Sequence, residues 1–303
     1  MDDELTGLLA SGERAAFHGR PTAGVAVLRR AAELAHQSGR DSEADAAGWL
    51  LGVCLTAAGR FGAGLAVLEP LSRPVALGGE RAVFGSLASS TMASVHRQLG
   101  DHVAARGHDE HAVGLAGEVA EAVFDAHLGL AADAVGLGQA DVAAVELDRA
   151  LAVAAGRSGW WRQRVRGHWV SAEVALLVDD PAAAARSAAE AVALAETSSA
   201  PRHVSKGLLF LGMAQLTMGD QREAAATLRR AASLAESLGT LPLAWPARAV
   251  LGALLFGASH DEAVRSLDAA RGVVRRIADD LPDDLQAIWY ARPDIAELML
   301  EPV

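Results

Sequence analysis

A period of about forty residues constrains this chain more than any other feature. Turn-forming residues recur at Gly19, Gly59, Gly100, Gly138, Asp179, Gly219 and Ser259, with gaps of 38 to 41 residues. Seven positions before each turn stand Gly12, Gly52, Ala93, Ala131, Ala172, Gly212 and Gly252. A second small column follows each turn: Gly24, Gly64, Ala105, Ala143, Ala184, Ala224 and Ala263. Four or five residues further on come Leu28, Leu68, Leu147, Leu228 and Leu267, with Ala188 in the fifth unit and Asp109 in the third. Units of this length cannot bury an apolar face alone and must stack on their neighbours.

The unit at 201–239 shows what each repeat folds into. Val204, Leu208, Leu211 and Leu216 fall at helical spacing, as do Ala224, Leu228, Ala231, Ala235 and Leu238. Gly219 followed by Asp220 predicts a helix stop and then an N-cap. Gly212 in mid-helix costs about 1 kcal/mol relative to Ala; close approach of the second helix would account for it. The unit is therefore an antiparallel helical hairpin. The pattern predicts hairpins at 4–38, 42–73, 80–116, 118–155, 160–197, 201–238 and 243–277. Asp180-Pro181 reads as an N-cap before a first-turn proline, and Ser199-Ala200-Pro201 similarly. The stretch from Pro70 to Gly79 reads as the loosest connector. Residues 278–303 read as one or two short helices, with Ile288, Trp289, Ile295 and Leu298 covering the end of the last hairpin.

This pattern resembles the tetratricopeptide repeat family. The matching pieces are Leu211-Gly212 with Gly219-Asp220, Ala224 and Ala231, and Trp49-Leu50-Leu51-Gly52 with Gly59. The likeness runs from about Leu5 to Ile277. It is closest to the longer repeats in regulatory regions of bacterial transcription regulators. It implies an all-α, right-handed superhelical solenoid of about seven hairpins with a C-terminal cap, spanning 1–303 as one domain. In that family the first helix of each pair lines the concave face.

Composition excludes several functions. The formal charge of −11 argues against nucleic acid as the general partner. No apolar run reaches the roughly 18 residues of a membrane span, and the acidic start does not resemble a signal peptide. With Cys54 the only cysteine, no intrachain disulfide can form. A soluble cytoplasmic protein is expected. Lys206 is the only lysine and lies in no glycine-rich loop, so there is no P-loop. No H-E-x-x-H or G-x-S-x-G motif occurs. The chain reads as a non-enzyme without cofactor or metal.

Two stretches of this acidic chain lack acids. Between Arg149 and Ala172 lie Arg157, Arg162, Arg164 and Arg166; between Thr197 and Gly219 lie Arg202, His203 and Lys206. Arg162 and Arg202 are one repeat apart, as are Arg166 and Lys206. Within each helix the two cations are one turn apart. The family's pattern puts Arg166 and Lys206 in a concave-facing column. The candidate partner-binding residues are Arg162, Arg166, Trp169, Glu173, Arg202, His203 and Lys206. They would hold a protein or an acidic peptide, in a scaffold or adaptor. The alternative is a sensor for a small anion or signalling peptide. If the cations form only a solvated face, Glu190 and Glu196 on second helices would balance them. Self-association into a homo-oligomer stays open.

Two other groupings are weaker. His102, His108, Asp109, Glu110 and His111 suit a metal ion by donor type, but read better as structural. Asp109 replaces a core Leu and needs a partner, with Arg97 and Arg106 the candidates. Trp160 and Trp161 open a helix, where at least one should pack on the preceding hairpin. Cys54 reads as a small buried hydrophobe.

Overall fold

The computed structural model describes residues 2–73 and 80–300. Among them are 16 α-helices and no strand. Seven hairpins follow one another: α1 (Asp2–His18) with α2 (Pro21–Gln37), α3 (Asp41–Ala57) with α4 (Phe61–Ser72), and α5 (Glu80–Leu99) with α6 (His102–Ala116). Next come α7 (Ala120–Gly136) with α8 (Ala140–Ala154), α9 (Trp161–Leu177) with α10 (Pro181–Thr197), α11 (Pro201–Thr217) with α12 (Gln221–Leu238), and α13 (Leu241–Leu255) with α14 (His260–Ala278). Two short helices close the chain, α15 (Asp283–Ala291) and α16 (Pro293–Met299). The fold is the tetratricopeptide-like helical solenoid that the period implied.

The small columns have a packing cause. A Cβ built on Gly52 would stand 2.3 Å from Leu68 Cδ2, and one on Gly212 would stand 2.7 Å from Leu228 Cγ. The leucine of the trailing helix therefore lies against the bare backbone of the leading helix. Leu28, Leu68 and Leu228 are fully buried as a result. Where the leading helix carries Ala131, Leu147 still packs in the same cluster.

The turns follow the pattern with two exceptions. Gly59, Gly100, Gly138, Asp179 and Gly219 take positive φ, whereas Ser259 is extended at φ −149° and Gly19 is not among the positive-φ glycines. Asp180 caps α10 by accepting from the Ala183 amide at 2.9 Å. Asp220 occupies the N-cap of α12 but makes no side-chain cap bond. Pro70 lies inside α4, in its last turn, and does not open a connector. The remainder of that proposed joint, 74–79, lies outside the described residues.

Each leading helix touches the leading helix of the next hairpin, from α1 against α3 through to α11 against α13; no two trailing helices approach so extensively. Helices on the inside of a curved stack crowd together and those outside spread. The leading helices are therefore the inner wall.

The coil also returns onto itself. α1 contacts α11, and α15 contacts α5. His18 at the end of α1 donates from Nδ1 to the Ser198 carbonyl at 3.1 Å and lies 4.9 Å from the Trp161 ring. One hairpin further on, Arg60 pairs with Asp280 at 3.3 Å, and Asp280 also accepts from the Ala63 amide. Gly62 lies so close that a Cβ there would fall 2.0 Å from the Asp280 carbonyl oxygen. In the third hairpin, Arg292 donates to the Gln98 carbonyl and packs under Gly100. Trp289, Ile295 and Leu298 do cover the last hairpin, but they share one cluster with Phe61, Val95 and Leu99. The cap is thus also part of a seam between successive turns of the solenoid.

Two substitutions test this packing. Gly52→Ala should destabilise by about 1–3 kcal/mol through overpacking against Leu68, although Ala is the better helix former. Gly107→Ala, in α6 with nothing within 4 Å of the new methyl, should stabilise by up to about 1 kcal/mol. Urea denaturation of both variants measures the contrast, and equal effects would refute the column packing.

Candidate functional site

The cations singled out in the sequence converge on the inner wall. Arg162 and Arg166 project from α9, and Arg202 and Lys206 from α11. Arg162 weakens the charged form of Arg166, both weaken that of Arg202, and Arg166 and Arg202 weaken that of Lys206, so the cations lie in overlapping fields. The acid partner of Arg162 and Arg166 is on neither trailing helix. Asp125 of α7, 5% exposed, accepts from Arg162 at 3.4 Å and from Arg166. Glu196 instead pairs with Arg230 on the outside. Glu190 appears only as a charge near His168. A carboxylate on a leading helix one repeat earlier therefore does what second-helix acids were expected to do.

The aromatic residues build the rest of the site. His203 is buried and stacks on Trp169 at 5.2 Å between ring centroids. Its other neighbour is Trp161, edge-on at 5.2 Å, which in turn meets His18 of the seam. Lys206 Nζ lies 4.8 Å from the Trp169 ring centroid and 5.5 Å from that of Phe210. Phe17 of α1 lies beneath the Arg162 guanidinium at 5.1 Å. Burial, and the surrounding Arg202, Arg162 and Arg166 charges, hold the His203 imidazole well below its ordinary pKa. It is neutral at physiological pH. Glu173, two turns beyond Arg166, is pushed up by burial against the pull of Lys206 and Arg97.

Three polar atoms of this group have no partner: Arg202 Nε, Trp169 Nε1 and His203 Nδ1. Native interiors leave few such groups unmet. Protein surrounds Arg166, yet 24% of its side chain remains accessible. The inner wall at Arg166 is thus reached by water. Burial pushes the Arg202 guanidinium down to about 10, and the group that most opposes this is Cys54 of α3. α11 therefore faces α3 across the interior.

A second charge cluster borders the first. Arg97 of α5 donates to Asp109 at 2.6 Å and to Asp133 at 2.7 Å, both carboxylates fully buried. It also donates to the Gly129 carbonyl. Arg106 turns outward to Gln139, so Arg97 is the cation that pairs with Asp109. The departure from Leu at position 109 is thus a polar tie between the third and fourth hairpins. Asp109 Oδ2 lies where a Gly129 Cβ would be, at 2.1 Å. Burial, opposed by Arg97 and reinforced by Asp133, pushes Asp109 up to about 8.

The histidines do not gather round an ion. His96 stacks on His108 at 5.0 Å, and His111 Nε2 bonds the Ser72 carbonyl at 2.9 Å. No group of three or more His, Cys, Asp or Glu suited to a metal occurs among the described residues. Trp160 meets Phe124 of the preceding hairpin edge-on. Trp49 lies between Phe17 and Phe84 and donates to Thr91. Cys54 is buried, and burial raises its thiol to about 11. The other arginines of the acid-free stretch, Arg157 and Arg164, line a separate cleft of about 450 Å³ with Leu151 and His168.

Asp125 and Arg97 were the members of this interior that sequence reading missed as site residues. Their only signal was position: both are charged residues on the wall-forming helices.

Comparison with known proteins agrees on the fold. A Rap protein solved in complex with competence and sporulation factor superposes with a TM-score of 0.68 at 14% identity, over 98% of this chain and 89% of that one. Aspartyl phosphate phosphatase F from Bacillus subtilis gives 0.52 at 13% identity, over 97% and 81%. No family model and no curated protein matches the sequence.

Arg97→Met should destabilise by about 3–5 kcal/mol, because it leaves two buried acids without a cation. Asp109, already pushed up to about 8 by burial, would be protonated in the fold and ionised in the unfolded chain. Folding then takes up protons, and stability falls as pH rises. The loss should therefore be larger at pH 9 than at pH 7 in denaturant titrations; a pH-independent loss would remove the shared-guanidinium account.

Proposed function

We propose that this protein is a non-catalytic regulatory scaffold whose inner channel holds an extended peptide. The observation that carries the reading is the pair of unmet polar atoms on Arg202 and Trp169, set beside Lys206 on the inner wall. A peptide brings carboxylates, carbonyls and amides in one slender ligand and can meet such groups together. The solved Rap protein complex, with its bound competence and sporulation factor, supports a bound signal in this fold. Charge favours an acidic peptide over a basic one. The seam supports a slender ligand over a folded domain, since α1 lies against α11 across the open side.

The candidate residues divide by role in this reading. Lys206, Arg202 and Trp169 meet the ligand. Arg162 and Arg166, tied to Asp125, shape the wall and supply field. His203, 1% exposed, supports Trp169 from behind. Glu173 sets the limit of the basic region. A small anionic signal is the second reading, favoured by the same enclosure.

Selection from a randomised short-peptide library tests the proposal. Lys206→Glu should weaken the selected peptides at least about tenfold, the scale of one lost charge-assisted contact, with unchanged helicity by circular dichroism. Arg186→Glu, exposed on the outer α10, should leave binding intact. Equal loss from both variants, or none from either, would refute a ligand in the channel.

A further inference from the structure

The interior holds more positive charge than its own acids offset. Arg97, Arg162, Arg166, Arg202 and Lys206 share it with Asp109, Asp125, Asp133 and Glu173. Burial pushes two of those acids, Asp109 and Glu173, toward their neutral forms. The surplus is not spread evenly. Arg162 and Arg166 are bonded to Asp125, and Arg97 is bonded to two acids. Arg202 Nε has no partner, and what lies across from that side chain is the protonated thiol of Cys54. Lys206 has ring faces at 4.8 and 5.5 Å.

The charge that most offsets Lys206 is Glu173, which burial pushes toward its neutral form, and Arg202 bonds no acid; cations enclosed without a bonded acid are costly to hold. Two of them, one helical turn apart on α11, beside an indole N–H that is itself unpartnered, make a preformed receptor. A guanidinium offers a planar fork to a tetrahedral oxyanion, and an ammonium adds a point charge. A single negative charge would leave one cation unmatched, whereas a dianion matches both. Resting on the channel as the ligand site, we infer that Arg202 and Lys206, with the Trp169 indole, bind a dianionic oxyanion group of the phosphate-monoester type. A phosphorylated peptide residue and a small phosphate ester present the same chemistry.

Thermal melting in inorganic phosphate, against chloride and acetate at equal ionic strength and pH 7.5, tests the site. The wild type should melt higher in phosphate, with a saturable concentration dependence, and not in acetate. Arg202→Met should melt higher than wild type in chloride, because an unpaired buried charge is gone, and should no longer respond to phosphate. Lys206→Gln provides a second variant if Arg202→Met does not fold, and should respond at least about tenfold more weakly, as for loss of one charge-assisted contact. No phosphate-specific rise in the wild type, or a full response in a folded variant, would overturn the inference. A phosphoserine peptide and glycerol phosphate separate the two sources: whichever binds more tightly than inorganic phosphate is the carrier. Library peptides that bind wild type and Arg202→Met alike, with no phosphate response, would sink this site and leave the peptide channel standing. A phosphate response with no selectable peptide would do the reverse.

Discussion

The close approach of paired helices is the interaction on which the rest of the structure depends. A leucine from five of the seven trailing helices rests on a glycine or alanine of its leading helix, as Leu68 does on Gly52. The contact buries the whole side chain and holds each hairpin to one geometry. Near-identical hairpins then stack with a near-constant step. The curvature that results crowds the leading helices together and gives the molecule an inside. Because interiors are packed to crystal-like density, small errors in that step would accumulate over seven hairpins.

Against this background the third hairpin is a deliberate exception. Asp109 takes the leucine's place, and Arg97 ties it to Asp133 of the next leading helix. Replacing an apolar contact by a buried ionic one seldom gains stability. What it does provide is direction: the guanidinium of Arg97 is held at the inner wall, within the field of Arg166, Lys206 and Glu173. A break in the packing column and the electrostatics of the interior are thus one feature seen from two sides.

The seam links the overall shape to the candidate site. His18, Trp161, His203, Trp169 and Lys206 form an unbroken run of ring contacts from the returning first hairpin into the basic cluster.

Sequence by itself determined the repeat, the hairpin limits, the packing columns and the clustering of Arg162, Arg166, Arg202 and Lys206 on neighbouring helices. These are contacts within one repeat or between adjacent ones, and a forty-residue period writes them into every unit. That Asp109 needs a cation was legible too, because a carboxylate in a leucine column demands one; of the two candidates, Arg97 and Arg106, the structure chose Arg97. Tertiary structure alone decided that Asp125 would pair with Arg162 and Arg166, that the tail would meet Phe61, and that His18 would reach Ser198. The first depends on how one helix is rotated against the next. The others join residues 180 or more positions apart, where the accumulated pitch of the coil, and no local pattern, determines what meets what.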